Sequence, residues 1–192
     1  MNKAPSPFGK VVSPILKGRK QELTGLKTGL DIGCAYGANS RYLASLGIEM
    51  DAIDKALPGD INADENINFQ RMDVMDFPFN KAYDIILAMN VLQFLTPDNR
   101  VKVMDSIWRS LNQNGWLFIN SFTADDEGVK RCLYESHFEA GELLDWAKEK
   151  GLVVKSYREK IINDNHKPCG RHRHGVVTLV GTKLAPTKTP AL

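Results

Sequence analysis

The segment formed by residues 83–89 constrains the fold more than any other part of the sequence. It reads Tyr-Asp-Ile-Ile-Leu-Ala-Met, a nearly continuous apolar run of strand length. Because successive side chains of a strand point to opposite faces, such a run indicates a strand that is covered on both sides, as in a parallel sheet. We therefore predict that this segment is a central strand of an α/β sheet.

Further strand and helix patterns alternate along the chain on both sides of this segment. Short apolar runs predict strands at residues 30–32, 48–53, 67–74, 116–120, 152–162 and 175–181. Helical spacing of apolar residues predicts helices after Asn39 or Ser40, after Thr96 or Asp98, and over residues 139–150. This order predicts an α/β fold with a doubly wound, mostly parallel seven-stranded sheet, helices on both faces and an antiparallel edge.

The length and composition favour one domain. The chain has 192 residues, of which 43% are hydrophobic and 25% charged, so it can bury one ordinary globular core. We place the domain at residues 28–183. Residues 1–27 mix Pro, Gly and Lys, which predicts a flexible arm or lid ending in a short helix around residues 13–23. Residues 184–192 are predicted to be a disordered tail.

Charge and cysteine content exclude several classes of protein. The formal net charge is only +2, from 25 Lys and Arg against 23 Asp and Glu, which does not predict binding to nucleic acid or an anionic membrane. Cys34, Cys132 and Cys169 are too few and too widely spaced for a disulfide framework. Prolines interrupt the N-terminal region, and no segment has the roughly 18 apolar residues of a membrane span. We expect a cytoplasmic protein.

A glycine-containing loop after the first strand marks the predicted binding site. In doubly wound sheets the ligand lies at the carboxyl ends of the strands, next to this loop. Gly33 and Gly37 would let the backbone pass close to a ligand, and Asp31 could accept a hydrogen bond from a cationic amine. An ordinary tight turn with a structural Asp is the alternative.

Two further carboxylates follow the next two strands. Asp54 comes 21 residues after Gly33, where a carboxylate can accept hydrogen bonds from both hydroxyls of a ribose. Asp73 could accept from the exocyclic amine of adenine while the amide of Val74 donates to a ring nitrogen. A surface Asp and a helix cap or turn are the respective alternatives, but three such residues at successive strand ends favour a nucleoside site.

These motifs resemble the class I S-adenosylmethionine-dependent methyltransferases. The resemblance covers most of residues 26–183 and includes the loop Leu-Asp-Ile-Gly-Cys-Ala-Tyr-Gly from residue 30, the strand and turn at 83–92, and the turn Leu-Asn-Gln-Asn-Gly-Trp-Leu from residue 111. It implies a Rossmann-like fold with S-adenosylmethionine as cofactor. The cofactor-binding residues that it implies are Asp31, Gly33, Cys34, Ala35, Gly37, Asn39, Asp54, Lys55, Asp73, Val74 and Asn90.

One position departs from the family pattern. Ala35 stands where the family usually has Gly, so the loop has to accept a Cβ atom there. The competing cofactor is a nicotinamide dinucleotide, whose loop would need Gly at positions 35 and 38, both of which are Ala here. The close approach to a pyrophosphate is thereby compromised, which argues against a dehydrogenase.

The segment 166–174 is the candidate region for the methyl acceptor. It reads His-Lys-Pro-Cys-Gly-Arg-His-Arg-His and allows three interpretations: a solvated basic turn, a metal site of Cys169, His172 and His174, or a substrate pocket. In an extended segment the two histidines share one face and Arg171 and Arg173 the other. We assign no residue to a metal.

Shorter motifs resemble the tellurite-resistance group of these enzymes. They are Gly-Ala-Asn-Ser at 37–40, Val-Leu-Gln-Phe-Leu at 91–95 and the Phe-then-Glu-Leu pattern from Phe138. That group commonly has Arg where this chain has Ala38. The group also has Arg and His residues late in the chain near the methyl acceptor, so the resemblance implies that Arg173 and His174 are the catalytic residues here. The expected function is methyl transfer from S-adenosylmethionine to a small nucleophile, a thiol or a chalcogen oxyanion such as tellurite or selenite. The alternatives are a methyltransferase acting on RNA or protein, and a noncatalytic module that binds the cofactor.

Overall fold

The computed structural model describes residues 10–127, 134–166 and 170–184. Its described strands form one seven-stranded sheet in the order β3-β2-β1-β4-β5-β7-β6. The strands are β1 (Thr28–Ile32), β2 (Glu49–Asp54), β3 (Ile67–Arg71), β4 (Tyr83–Met89), β5 (Leu111–Phe122), β6 (Leu152–His166) and β7 (Gly170–Lys183). Strands β1 to β5 pair in parallel, whereas β7 runs antiparallel to both β5 and β6. The predicted fold class is confirmed.

The helices pack on both faces of the sheet. They are α1 (Pro14–Lys17), α2 (Lys20–Leu23), α3 (Ala38–Ala44), α4 (Pro97–Arg109) and α5 (Glu142–Glu149). On the central strand β4, Ile86 and Ala88 join the core under α4 and α5, while Ile85 and Leu87 join the core under α1, α2 and α3. The strict alternation explains why the β4 sequence is apolar throughout, because each face has its own core.

Several predicted boundaries were inexact, and one helix start was wrong. The structure begins α3 at Ala38 with Gly37 as the N-cap, in place of Asn39 or Ser40. Gly37 has φ 73°, so the chain enters the helix through a left-handed residue and needs no side-chain cap. Helix α4 begins as predicted after Thr96, whose hydroxyl accepts a hydrogen bond from the amide of Asn99.

The described part of the N-terminal region belongs to the core. Helices α1 and α2 replace the single predicted helix, and Leu16 and Leu23 are fully buried. The flexible-arm prediction is therefore wrong for this part, since burial of the two leucines fixes it against the sheet. The backbone amide of Ser13 donates to the side chain of Asn39 at 2.9 Å, which joins the segment to the first turn of α3. The predicted tail lies outside the described residues, except for its first residue, Leu184.

Strand register brings the predicted site to one edge of the sheet. Ile32, Ile53, Ala88 and Ile119 lie side by side at the carboxyl ends of β1, β2, β4 and β5. The loops that follow these strands therefore meet at this edge, where doubly wound sheets bind their ligands.

Candidate active site

The loop from Gly33 to Gly37 is held against strand β2 and its neighbours. The amides of Gly33 and Cys34 donate to the carbonyl of Ile53 at 2.8 and 3.1 Å. Gly33 has φ 74°, and a Cβ atom there would lie 2.8 Å from the side chain of Val91. A Cβ atom on Gly37 would lie 2.6 Å from the Phe69 ring. Both positions thus require glycine for space as well as for backbone conformation.

Ala35 adopts a left-handed conformation in the middle of this loop. Its φ is 50°, which costs an L-residue about 1 to 2 kcal/mol relative to the right-handed region. Its amide donates to Oδ2 of Asp54 at 2.8 Å, and this bond helps hold the residue in place. The loop therefore accepts the Cβ atom at this position at a conformational cost.

Asp54 connects the ends of β1 and β2. Besides the amide of Ala35, its carboxylate accepts a hydrogen bond from the amide of Ala56, at 2.7 Å. Each carboxylate oxygen has a second lone pair, so Asp54 keeps acceptor capacity for sugar hydroxyls. The side chain is half-buried, and its acceptor oxygens are fixed by the two backbone bonds.

Asp31 is a buried acid beneath the loop. Only 2% of it is exposed, and burial raises its pKa to about 6, although the hydrogen bond from the Ser40 hydroxyl at 2.6 Å opposes this rise. The nearby charge of Asp54 also raises the pKa. A cation placed beside Asp31 would favour its ionised form, so the residue is suited to recognise an ammonium group.

Asp73 and Lys55 form an ion pair beside the loop. Nζ of Lys55 donates to Oδ2 of Asp73 at 2.8 Å, while Oδ1 accepts from the amide of Met75 and so caps a 3₁₀ turn at Val74–Asp76. The hydrogen bond from Lys55 holds the pKa of Asp73 below its usual value. Asp73 thus caps the 3₁₀ turn, and its carboxylate is held in a fixed position as a hydrogen-bond acceptor. Val74, the next residue, is buried.

The remaining predicted cofactor residues lie at the same edge. Asn90 has φ 58°, its side chain is exposed, and its amide donates to the carbonyl of Asn120 at 2.7 Å. Cys34 is buried, which raises the pKa of its thiol far above the usual value and makes it a poor nucleophile. Cys34 therefore contributes to the loop through its backbone amide, which donates to the carbonyl of Ile53.

The β6–β7 hairpin extends past this edge of the sheet and carries the predicted acceptor residues. β7 pairs with β5 as far as Val176, which lies opposite Phe122. The five residues from Gly170 to His174 continue for about 17 Å, paired with β6. Both strands of the hairpin are longer than the predicted strands at residues 152–162 and 175–181. The outer residues are mostly polar and lack the clear alternation of polar and apolar side chains that indicates a strand.

The two strand faces separate the predicted catalytic pair. His174 is 5% exposed and His172 is 6% exposed, while Arg173 points to the other face and its Nε donates to Glu127 at 3.2 Å. The predicted sharing of one face by the two histidines is confirmed. A cleft of about 580 Å³ lies at the hairpin, and its lining includes Arg171 and Arg173 as well as Glu127 and Asp164.

The buried histidines belong to a polar cluster that the sequence did not reveal. Nδ1 of His174 lies 2.6 Å from the carboxylate of Asp126, and its ring stacks on Phe122 at 4.9 Å between centroids. The Nε2 atoms of His172 and His174 are 2.8 Å apart. Neither histidine is part of a solvated turn, so that interpretation is wrong for them. Lys167, Pro168 and Cys169 lie outside the described residues, as does the metal site that included Cys169.

Comparison with known proteins identifies the family. The family described as a methyltransferase domain matches residues 30–119, which run from β1 through β5. A carboxy-S-adenosyl-L-methionine synthase from Shewanella amazonensis is 31% identical over 150 residues, covering 69% of this chain and 59% of the relative. The chain carries this methyltransferase domain, and it resembles the class I S-adenosylmethionine-dependent methyltransferases. It resembles the tellurite-resistance group, because a probable S-adenosyl-L-methionine-dependent methyltransferase TehB from Haemophilus influenzae is 24% identical over 127 residues, covering 62% of this chain and 44% of the relative.

Solved structures of methyltransferases share the fold. The crystal structure of TehB from Haemophilus influenzae superposes with a TM-score of 0.72 at 18% identity, covering 90% of this chain and 62% of that chain. The N-methyltransferase NodS from Bradyrhizobium japonicum, in complex with S-adenosyl-L-homocysteine, has a TM-score of 0.61 at 17% identity. The superposition covers 94% of this chain and 92% of that chain. The chain spans about half the length, 42–59%, of the curated relatives that it matches. Among its described helices, none is long and apolar enough to cross a membrane.

Proposed function

We propose that this chain transfers the methyl group of S-adenosylmethionine to a small-molecule nucleophile. The observation that carries the proposal is the bonding of Asp54 to the loop amide of Ala35, which fixes a sugar acceptor beside the glycine loop. Asp31 lies under the same loop, and Asp73 follows the neighbouring strand. The three acids would provide acceptors for three donor groups of the cofactor: the methionine amine, the ribose hydroxyls and the adenine amine.

The cofactor would lie along the carboxyl edge of β1, β2 and β3. Asp54 would accept from the ribose hydroxyls, Asp73 from the adenine amine, and the amide of Val74 would donate to the adenine ring. Asp31 would hold the methionine ammonium group, whose charge would favour the ionised carboxylate. Lys55 would keep Asp73 ionised, while Asn39 and Asn90 would border the site.

The acceptor would approach from the β6–β7 hairpin. Arg173 would present its guanidinium group to an oxyanion or thiolate, and the buried His174 would position that end of the site. We infer that the acceptor is a thiol or a chalcogen oxyanion such as selenite or tellurite, since Arg171 and Arg173 of the 580 Å³ cleft offer cationic groups to such an anion. Glu127, which pairs with Arg173, and Asp164 line the same cleft. A reducing environment would keep a thiol acceptor available.

The chemistry is an in-line displacement at the sulfonium. When bound, the cofactor supplies an electrophilic methyl carbon with a neutral thioether as leaving group. An electron pair of the acceptor would form the new bond to the methyl carbon. The carbon–sulfur bond would break at the same time, and the two electrons of that bond would go to sulfur. The protein contributes orientation and exclusion of water, because a deprotonated soft nucleophile needs no base in this step.

Incubation of the purified chain with S-adenosylmethionine and single acceptors tests the proposal. Selenite, tellurite and small thiols form the first panel, and S-adenosylhomocysteine together with the methylated acceptor is measured by mass spectrometry. We expect the two products to form in equal amounts and to form more slowly in Asp54→Ala at a cofactor concentration below the Kd of that variant. Cofactor binding without turnover on the panel would refute the proposed acceptor class. Because a curated relative is a carboxy-S-adenosyl-L-methionine synthase, the mass of the bound nucleoside is checked as well.

A further inference from the structure

Three potential metal ligands converge inside the β6–β7 hairpin. Nε2 of His172, Nε2 of His174 and a carboxylate oxygen of Asp164 all lie within 4.8 Å of one another. Strand register produces this arrangement, because Asp164 of β6 lies directly opposite His172 of β7 and diagonal to His174. Oδ2 of Asp164 is 3.7 Å from Nε2 of His174.

The outer nitrogen of each histidine ring is fixed by an acceptor. Nδ1 of His172 lies 2.7 Å from the carbonyl oxygen of Gly170, and a carbonyl can only accept, so this nitrogen carries a proton. Nδ1 of His174 likewise donates to the carboxylate of Asp126 at 2.6 Å. Metal-binding histidines characteristically donate their second ring nitrogen to a carboxylate or a backbone carbonyl. Both kinds of acceptor are present here.

The inner nitrogens of the two rings face each other. With both Nδ1 atoms protonated, the Nε2 atoms of two neutral rings are acceptors, and they lie 2.8 Å apart. A proton or a metal ion placed between them would be bound by both rings. The carboxylates of Asp126, which is completely buried, and Asp164, which is partly exposed, lie beside the rings and would stabilise this cation.

We propose that Asp164, His172 and His174 bind a divalent transition metal ion, with Zn²⁺ as the leading candidate. Two imidazoles and one carboxylate are a donor set that leaves at least one coordination position open. Tetrahedral coordination would separate the Nε2 atoms by about 0.5 Å more than observed, a movement within reach of side-chain rotation. This site replaces the expectation from sequence that no residue binds a metal, and it does not depend on the proposed methyl transfer.

The position of the site indicates its use. Asp164 and His172 are among the residues that line the cleft at the hairpin, which Arg171 and Arg173 also line from the other strand face. A metal ion bound by Asp164 and His172 would hold a thiolate or an oxyanion in its open coordination position at the edge of this cleft.

Metal binding by the full chain tests the site without any assay of activity. Protein freed of metal with a chelator is titrated with Zn²⁺ by calorimetry and with Co²⁺ by visible absorption. One ion per chain is expected. His172→Ala and Asp164→Asn should each weaken binding about 100-fold, and Asp126→Asn, which keeps an acceptor for His174, about 10-fold. Circular dichroism verifies that each variant is folded.

His137→Ala is the matched control. His137 also contacts a carboxylate, that of Glu139 at 2.9 Å, but it lies outside the cluster, so its removal should leave the stoichiometry and affinity unchanged. Absence of Zn²⁺ binding by folded wild-type protein would overturn the proposal and leave a shared proton between the rings. Binding that persists in folded His172→Ala would also overturn it and would direct attention to the cysteine thiols.

Discussion

The amide of Ala35 donates to Oδ2 of Asp54 at 2.8 Å, and this bond ties the glycine loop after β1 to the end of β2. The second oxygen of the same carboxylate accepts from the amide of Ala56 at 2.7 Å. Asp54 therefore has two functions in our account: it fixes a loop residue in a left-handed conformation, and it provides acceptors for a ribose.

Replacing Asp54 should weaken cofactor binding. Asp54→Ala removes the proposed bonds to ribose and releases Ala35, and we expect a loss of about 1 to 3 kcal/mol, which is roughly 5- to 150-fold in Kd. Asp54→Asn keeps one carbonyl acceptor and should have an intermediate effect. Calorimetry with S-adenosylhomocysteine measures both. An unchanged affinity in folded Asp54→Ala would remove Asp54 from the site.

Gly37 should tolerate no side chain. Gly37→Ala places a Cβ atom 2.6 Å from the Phe69 ring at a φ of 73°, so it combines steric overlap with backbone strain. Gly47→Ala is the matched control, because Gly47 has φ 85° and open space around its Cβ position. We expect Gly37→Ala to be less stable than Gly47→Ala by about 1 to 3 kcal/mol in urea unfolding. Equal losses would show that overlap with Phe69 has no effect.

The raised pKa of Asp31 predicts a specific dependence of stability on pH. Its value is about 6 in the folded protein against 3.8 when unperturbed, so the folded state holds the proton more tightly than the unfolded state. The resulting stabilisation is complete below pH 3.8 and is lost as the pH rises through 6, a change of about 3 kcal/mol.

Asp31→Asn isolates this effect from all other titrating groups. The free energy of unfolding of the wild type minus that of Asp31→Asn should fall by about 2.4 kcal/mol between pH 4 and pH 7. Urea unfolding at several pH values, without cofactor, measures the difference. A flat difference across this range would mean that Asp31 keeps an ordinary pKa despite its burial.

Arg173 should affect the acceptor without affecting the cofactor. Its side chain lines the cleft at the hairpin, and we expect Arg173→Ala to lower kcat/KM for the acceptor about tenfold or more by removing a charged donor. Cofactor affinity should remain unchanged. Arg158→Ala, an exposed arginine on β6, is the control and should behave as wild type. A parallel loss of cofactor binding in Arg173→Ala would give Arg173 a structural role.

The sequence predicts the fold well where burial determines the order of polar and apolar residues along a segment. The bounds of β4 match the prediction because both of its faces are buried, and the order of strands and helices is that of a doubly wound sheet. The length of the β6–β7 hairpin was underestimated, since its outer residues are polar and lie beyond the two cores. The burial of Leu16 and Leu23 was also missed, because Pro and Gly around them suggested a loose segment.

The two parts of the candidate site differ in how well the sequence predicts them. The glycine loop at residues 33–37 could be located because the end of the first strand and the glycines after it are visible in the sequence. The partners of His174 do not follow, because Asp126 and Asp164 reach it from a turn and from a neighbouring strand. Only the register of β6 against β7 and the turn after β5 bring them together. The acidic run Asp125-Asp126-Glu127 carries no periodic signal that would have indicated this contact.

Calorimetric titration with S-adenosylmethionine, with S-adenosylhomocysteine and with NAD as control measures whether the carboxyl edge of the sheet binds the proposed cofactor. We predict that one molecule of either sulfur-containing ligand binds per chain, that NAD does not bind, and that Asp54→Ala lowers the affinity. Absence of binding of both S-adenosyl ligands to the folded protein, or equal binding of NAD, would contradict the assignment of this edge of the sheet to S-adenosylmethionine.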